Sequence, residues 1–213
     1  MSEYKTILEK NVKAEIVEKK SRFISNVFYV ESVEEAEEKI KQVKKKYFDA
    51  KHNCYAYRIL DKDMVTERFS DDGEPSGTAG APMLDILAKT NLCNVVVVVT
   101  RYFGGILLGT GGLVRAYSDA LKASIQSAML ANIKSGYEIK LKVTYSSFEK
   151  FKYYCKAKGI NITESSYSDV VDCTIELCKE EFECLKNNIE KENEYNIISF
   201  DIVRQKTICE MSN

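Results

Sequence analysis

The sequence predicts an α+β chain organised as two units, and three observations carry that prediction. Segments with strand alternation and segments with helical spacing are mixed along 213 residues, a length that suits one large domain or two small ones. From Ile139 the order becomes β-α-β-β-α-β over about seventy residues, the split βαβ pattern of ferredoxin-like units. Eight of the ten glycines and both prolines lie between Gly73 and Gly112. A chain that gathers its conformationally special residues in one stretch builds backbone shapes there that ordinary residues resist.

Taken in order, residues 12–19 and 21–30 read as two strands. VKAEIVEK alternates, and RFISNVFYV is rich in aromatic and β-branched residues. Lys19, Lys20 and Arg22 crowd the turn between them. Ser32 starts a helix, with Glu35 completing a capping box. Val33, Ala36, Ile40, Val43 and Tyr47 recur at helical spacing, and the opposite face is Glu early and Lys late, which suits the macrodipole. Lys44, Lys45 and Lys46 read as a solvated helix end or as part of a basic binding edge.

Asn53 to Leu60 alternates as a strand, followed by a polar turn at 61–63 and a strand from Met64 to Phe69. A loop from Ser70 to Thr78 leads into a helix from Ala79 or Gly80, with Ser76 or Thr78 as its cap and Pro82 in its first turn. Met83, Leu84, Leu87 and Ala88 form its apolar stripe, and Asn91 is a left-handed stop. NVVVVVT, Asn94 to Thr100, reads as a central strand buried on both faces. Gly112 to Leu130 reads as a helix whose stripe of Ala116, Ala120, Ala123 and Ser127 allows close packing.

The second unit opens with the strand of Ile139, Leu141, Val143 and Tyr145. Ser146 or Ser147 caps a helix that runs through Lys158 and stops at Gly159. Two strands form a hairpin around Ser168-Asp169, Phe182, Leu185 and Ile189 mark a helix, and Ile198, Phe200 and Ile202 mark the last strand. The expected domains are 1–133 and 137–207, with the boundary near Ala131 to Gly136.

Charge narrows the function classes. The formal net charge is −1, with +2 through Lys134 and −3 after it, so a nucleic-acid site must be a local basic patch. The longest apolar run, Val95 to Val99, is too short to span a bilayer, and MSEYKTILEKNVK carries charges where a secretory leader has its apolar core. Seven scattered cysteines read as reduced thiols in a cytoplasmic protein. Cys173, Cys178 and Cys184 lack CxxC spacing and His52 is the only histidine, so no metal site or cofactor is expected.

The glycine loop lies between a buried strand and a helix, where α/β proteins place phosphates. Gly104 to Thr110 has P-loop spacing, but Thr110 stands where the lysine belongs. Gly109-Thr110-Gly111 opens a dinucleotide fingerprint, but Val114 occupies its third glycine position. Two readings remain: a structural loop, or backbone amides that meet a phosphate with help from Arg101 and Arg115. Asp71, Asp72 and Glu74 either hold Mg²⁺, or pair with Arg101 or cap a helix, and the run lacks the spread of ligands that an EF-hand needs. His52 and Cys54 form no nucleophilic pair with an orienting third group, and Ser76 and Ser118 sit in no nucleophile elbow. DVVDCTIELC in the second unit offers no aromatic platform of the RNA-recognition type.

DDGEPSGTAGAP at 71–82 and VVVVVTRYFGGILLGTGGLVRAY at 95–117 resemble the YigZ/Impact family, and KSRFIS at 20–25 and HNCYAYR at 52–58 fit the same pattern. The resemblance covers about 15 to 130, and the remainder resembles the additional domain of two-domain bacterial members on topological grounds. It implies an N-terminal domain like domain 2 of ribosomal protein S5 and a ferredoxin-like C-terminal domain. It also implies a translational setting, since eukaryotic relatives regulate translation through a ribosome-associated activator of a kinase. The family offers no accepted catalytic residues.

The expectation is therefore a cytoplasmic, translation-associated regulator or RNA/ribosome-binding protein without catalysis. Its partner is RNA, the ribosome or a translation-associated protein, with no membrane and no DNA specificity. The expected surface is Arg101, Gly104, Gly105, Gly109, Gly111, Gly112 and Arg115. The alternative is an enzyme on a phosphorylated or acidic small molecule, using the same loop with Asp71, Asp72 and Glu74 and Mg²⁺.

Overall fold

A computed structural model describes residues 4–61 and 64–210. The chain divides into two compact units, the first through Asn132 and the second Ile133–Glu210. The mixture of helices and antiparallel sheets is the α+β class that the sequence predicts.

The first unit runs β1 (Tyr4–Ile7), β2 (Asn11–Glu18), β3 (Ser21–Tyr29), α1 (Val33–Lys46), β4 (His52–Asp61), β5 (Met64–Ser70), α2 (Gly80–Lys89), β6 (Val95–Tyr102) and α3 (Thr110–Ser127). Five strands pair in the order β2-β3-β6-β4-β5, and each neighbouring pair is antiparallel. Val95 to Val99 of β6 are 0% exposed because alternate side chains enter two cores. Val95, Val97 and Val99 pack with Met83, Leu87, Tyr117 and Leu121 beneath α2 and α3. Val96 and Val98 pack with Val30, Ala36, Ile40 and Tyr57 beneath α1.

Capping confirms some local readings and corrects others. The Glu35 amide donates to Ser32 Oγ at 3.2 Å, and Glu35 reaches back to the Glu31 amide, one residue before the cap. Asn91 adopts φ 54° after α2, as its stop signal implies. The cap of α2 is neither Ser76 nor Thr78: the N-cap is Ala79, and Thr78 Oγ1 turns to the Pro75 carbonyl. Buried Arg58 donates to the carbonyls of Leu87 and Leu92, supplying the C-terminal end of α2 with a cation. α3 begins at Thr110, two residues earlier than expected, and stops at Ser127. β1 escaped the periodicity because it is four residues long; Lys5 anchors it through backbone bonds with Asn91 and Cys93. Residues 62 and 63 of the expected 61–63 turn lie outside the described residues.

β7 (Leu130–Val143) begins nine residues before Ile139 and runs through residues 131–136. The second unit continues with α4 (Tyr145–Lys158), β8 (Asn161–Tyr167), β9 (Val171–Cys178), α5 (Lys179–Lys191) and β10 (Ile197–Glu210). Its strand order β10-β7-β9-β8 is the split βαβ arrangement. Ile139, Leu141, Val143, Cys173 and Ile175 pack with Phe148, Phe151, Phe182 and Leu185 of the two helices. The N-cap of α4 is Thr144 rather than Ser146 or Ser147, and Gly159 closes the helix in the left-handed conformation at φ 68°. The Ser168 amide donates to the Val170 carbonyl in the expected hairpin turn.

Candidate nucleic-acid interface

The acidic loop faces inward, and each carboxylate has a structural task. Asp71 Oδ1 accepts the amides of Ala79 and Gly80 at 2.9 and 2.8 Å, and its Oδ2 accepts that of Gly77 at 2.8 Å. It therefore caps α2 from eight or nine residues upstream, where no short-range signal reveals it. Asp72 accepts from Lys44 Nζ and the Asn53 amide, both at 2.7 Å, and its carbonyl receives His52 Nδ1 at 2.9 Å. Glu74 Oε1 accepts from Arg101 Nη1 at 2.6 Å and from the Tyr117 hydroxyl at 2.9 Å. Cys54 Sγ lies 2.9 Å from the Asp71 carbonyl and 3.3 Å from that hydroxyl. Burial pushes the Cys54 thiol up to about 12 and raises Tyr117 as well, so neither is a ready nucleophile. The carboxylates that a Mg²⁺-assisted reaction would recruit are already occupied by amides, Lys44 and Arg101.

Arg101 requires a correction as a phosphate ligand. Its side chain is 7% exposed, Glu74 is 3% exposed, and the guanidinium lies between the rings of Phe23 and Phe103 at 5.6 and 5.5 Å. A guanidinium enclosed by a carboxylate and two rings does not meet an RNA backbone. Gly104 is also structural: a Cβ there would overlap the backbone of Lys20. Gly112 packs against the Leu108 side chain, whereas Gly105, Gly109 and Gly111 are exposed. Gly109 takes φ 74° as the N-cap of α3, a shape that side-chain-bearing residues resist.

The exposed part of the surface gathers at one end of the first unit's sheet. Arg22 pairs in register with Tyr102, and His52 with Arg101. That register places the β2–β3 turn, the end of β6 and the start of β4 at the same end. Lys19 and Lys20 form the turn with φ 46° and 66°, both left-handed and both exposed. No ion pair engages either lysine among the described residues. The Gly104 amide donates to Ser21 Oγ at 3.1 Å, drawing the glycine loop against this turn. Beyond it, α3 begins with no side-chain cap and no acid in its first turn, so its N-terminal amides face solvent with their partial positive charge. Arg115 is exposed, and its Nε donates to the Gly111 carbonyl at 3.3 Å. A groove of about 230 Å³ between β2 and α3 is lined by Ile16, Leu108 and Ala116 together with Glu18, Lys19, Arg115 and Asp119.

Four acids temper this end: Glu18 lines the groove beside Lys19, and Asp49 accepts from the Tyr102 hydroxyl at 2.7 Å. Glu15 is held by Arg22 at 2.8 Å, and that hydrogen bond lowers its carboxyl below the usual range. Asp119 pairs with Lys122 at 3.4 Å. Phe103, Ile106 and Leu107 are 53%, 43% and 82% exposed on the loop. Sequence reasoning noted the lysine turn and Arg115 but passed over these three residues. Their signal was present as apolar side chains in a glycine-rich stretch, which has no periodicity to assign them to a core.

In the second unit, Asp172, Thr174 and Glu176 of β9 alternate with its core residues and leave the open sheet face without an aromatic on that strand. That face carries a groove of about 570 Å³ with Lys140, Lys142, Glu164 and Asp201. In the groove Lys142 lies 3.8 Å from Asp172, and Lys206–Glu176 at 2.7 Å and Arg204–Glu138 at 2.9 Å are further ion pairs of this sheet. No helix among the described residues is long and apolar enough to cross a membrane.

The comparisons align with this division. Residues 19–125 match the Impact N-terminal domain, and 141–190 match a domain of unknown function, DUF1949. The chain is 40% identical over 158 residues to the IMPACT family member YvyE of Bacillus subtilis, covering 74% of this chain and 72% of the relative. It is 44% identical over 109 residues to YigZ of Escherichia coli, covering 51% of this chain and 53% of that protein. A crystal structure of a hypothetical protein superimposes with a TM-score of 0.64 at 29% identity, covering 95% of this chain and 97% of the other.

Proposed function

This chain belongs to the IMPACT family, and from that premise we propose that it is a cytoplasmic, translation-associated regulator that binds RNA phosphate, on the ribosome or alone, without catalysis. The translational setting rests on the family resemblance set out from the sequence. The observation that carries the RNA reading is an asymmetry of charge. Asp71 is taken up by backbone amides, Asp72 by Lys44 and the Asn53 amide, and Glu74 by Arg101. Lys19, Lys20, Arg115 and the uncapped amides of α3 point outward at one end. Phosphate is the anion such an end favours, because cations and helix N-termini act on it together. The unbridged thiols of Cys54, Cys93, Cys155, Cys173 and Cys184 support the cytoplasmic setting.

The test is RNA binding across a salt series, paired with ribosome co-sedimentation. The double variant Lys19→Gln/Lys20→Gln and the single variant Arg115→Gln should each weaken binding. The salt slope should fall by about one for each phosphate contact removed. Folded variants that keep the parent's affinity and slope overturn the assignment. A partner retained after nuclease treatment identifies a protein adaptor instead.

A further inference from the structure

Within that RNA reading, on which this step rests, we propose that Phe103 is a stacking platform for an unpaired base, so that the first unit selects single-stranded over duplex RNA. Phe103 directly follows β6 and is 53% exposed. The Arg101 guanidinium lies over its ring, 5.5 Å from the centroid. That guanidinium is fixed by Glu74 at 2.6 Å and by the Phe23 ring at 5.6 Å. The ring therefore rests on a guanidinium that is itself held by a carboxylate and a second ring, and a pre-set aromatic loses little freedom when a base stacks on it.

The surroundings match a nucleic-acid strand better than an apolar partner. Gly104, the next residue, lies against the backbone of Lys20, which brings the lysine turn beside the ring. On the other side the loop leads to the open amides of α3 and to Arg115. A base on Phe103 thus has the lysine turn beside it, and the α3 amides and Arg115 follow along the same stretch of chain. Leu107, 82% exposed, adds an apolar neighbour on the same loop. Phosphate contacts alone do not demand an unpaired base, whereas a stacking ring requires one that has left its helix. Arg101 acts here through Phe103 and is a positioning residue.

The experiment compares a single-stranded RNA oligonucleotide with the same sequence annealed to its complement, using the full chain. The parent should bind the single strand about tenfold or more tightly than the duplex. Phe103→Ala should weaken single-strand binding by about 5- to 150-fold, leaving duplex binding and the salt slope unchanged. Phe103→Tyr should remain within about twofold of the parent, and Phe103→Leu should behave like the alanine variant. Arg101→Lys, which keeps a cation beside Glu74 but loses the planar support, should lower the single-strand to duplex ratio. If Lys19→Gln/Lys20→Gln weakens binding while Phe103→Ala does not, the platform is wrong and the RNA reading stands. If the parent binds neither RNA, both fail. Equal losses on both RNAs with a lowered urea midpoint make Phe103 structural and overturn the platform. Nuclease-resistant capture of a protein that Phe103→Ala abolishes also overturns it.

Discussion

Removing either partner of the Arg101–Glu74 pair should destabilise the first unit by about 3–5 kcal/mol, because each removal leaves a buried charge without its counter-ion. The structural basis is a 2.6 Å contact between side chains 7% and 3% exposed. Glu74→Ala carries an added cost of about 1–3 kcal/mol, since the buried Tyr117 hydroxyl loses its acceptor. Arg101→Ala leaves that hydroxyl bonded but strands the carboxylate. The double variant has no unpaired charge, so its cost should fall below the sum of the singles by about 2 kcal/mol or more. Urea unfolding followed by circular dichroism gives the global change. The reactivity of Cys54 and Cys93, both buried in the first unit, reports that unit separately. The reasoning is refuted if Arg101→Ala stays within about 1 kcal/mol of the parent and the two substitutions add. That result, together with a lost RNA salt slope, would place the guanidinium on the ligand.

Asp71→Ala should cost about 1–3 kcal/mol and accelerate hydrogen exchange at the amides of Gly77, Ala79 and Gly80, because one charged acceptor serves all three. Gly104→Ala should lower the urea midpoint or displace the 19–20 turn, since the added methyl meets the backbone of Lys20. Gly111→Ala meets open space early in α3 and should be neutral or raise stability by about 0.4–1 kcal/mol. Alkaline pH should destabilise the fold. Burial pushes Cys54, Cys155 and Cys173 up to about 12 and Cys93 up to about 11, against an ordinary value of 9.0. Unfolded thiols ionise first, so stability present below pH 9 is lost as pH rises toward the folded values. The slope should reach about 1.4 kcal/mol per pH unit for each thiol, and urea midpoints taken stepwise into that window check it. A flat profile there argues against the buried neutral thiols.

The parts of the fold governed by neighbours in sequence were legible, and those governed by distant contacts were not. Ser32 with Glu35, Asn91 and Gly159 act within one turn of the helix end that each marks. The alternation of β9 and the five consecutive valines of β6 record which faces are buried. By contrast, Asp71 caps a helix that starts nine residues later, and Ser76 and Thr78 look like better caps by spacing. The sequence offered Arg101 both to the acidic loop and to a ligand. A pairing across 27 residues decides between them, and only the fold shows which is closer. Lys19 and Lys20 were visible as charge, but their approach to Gly104 spans a strand pairing that no local pattern encodes.

The glycine-bearing stretch therefore separates into two halves with opposite tasks, joined through Arg101. Residues 71–80 turn their charges inward, and 103–112 present backbone and side chains outward. A buried ion pair is poor evidence of a stability gain, because apolar side chains of similar volume often do as well. The Arg101 Nε atom is buried without a hydrogen-bond partner among the described residues, which adds to the cost. What the arginine supplies that an apolar residue does not is a planar cation that faces two rings at once, one in the core and one at the surface. Its energetic inefficiency is then intelligible as the cost of setting Phe103 in place. On this argument the acidic loop contributes to binding without touching a ligand, by fixing the arginine that supports the ring.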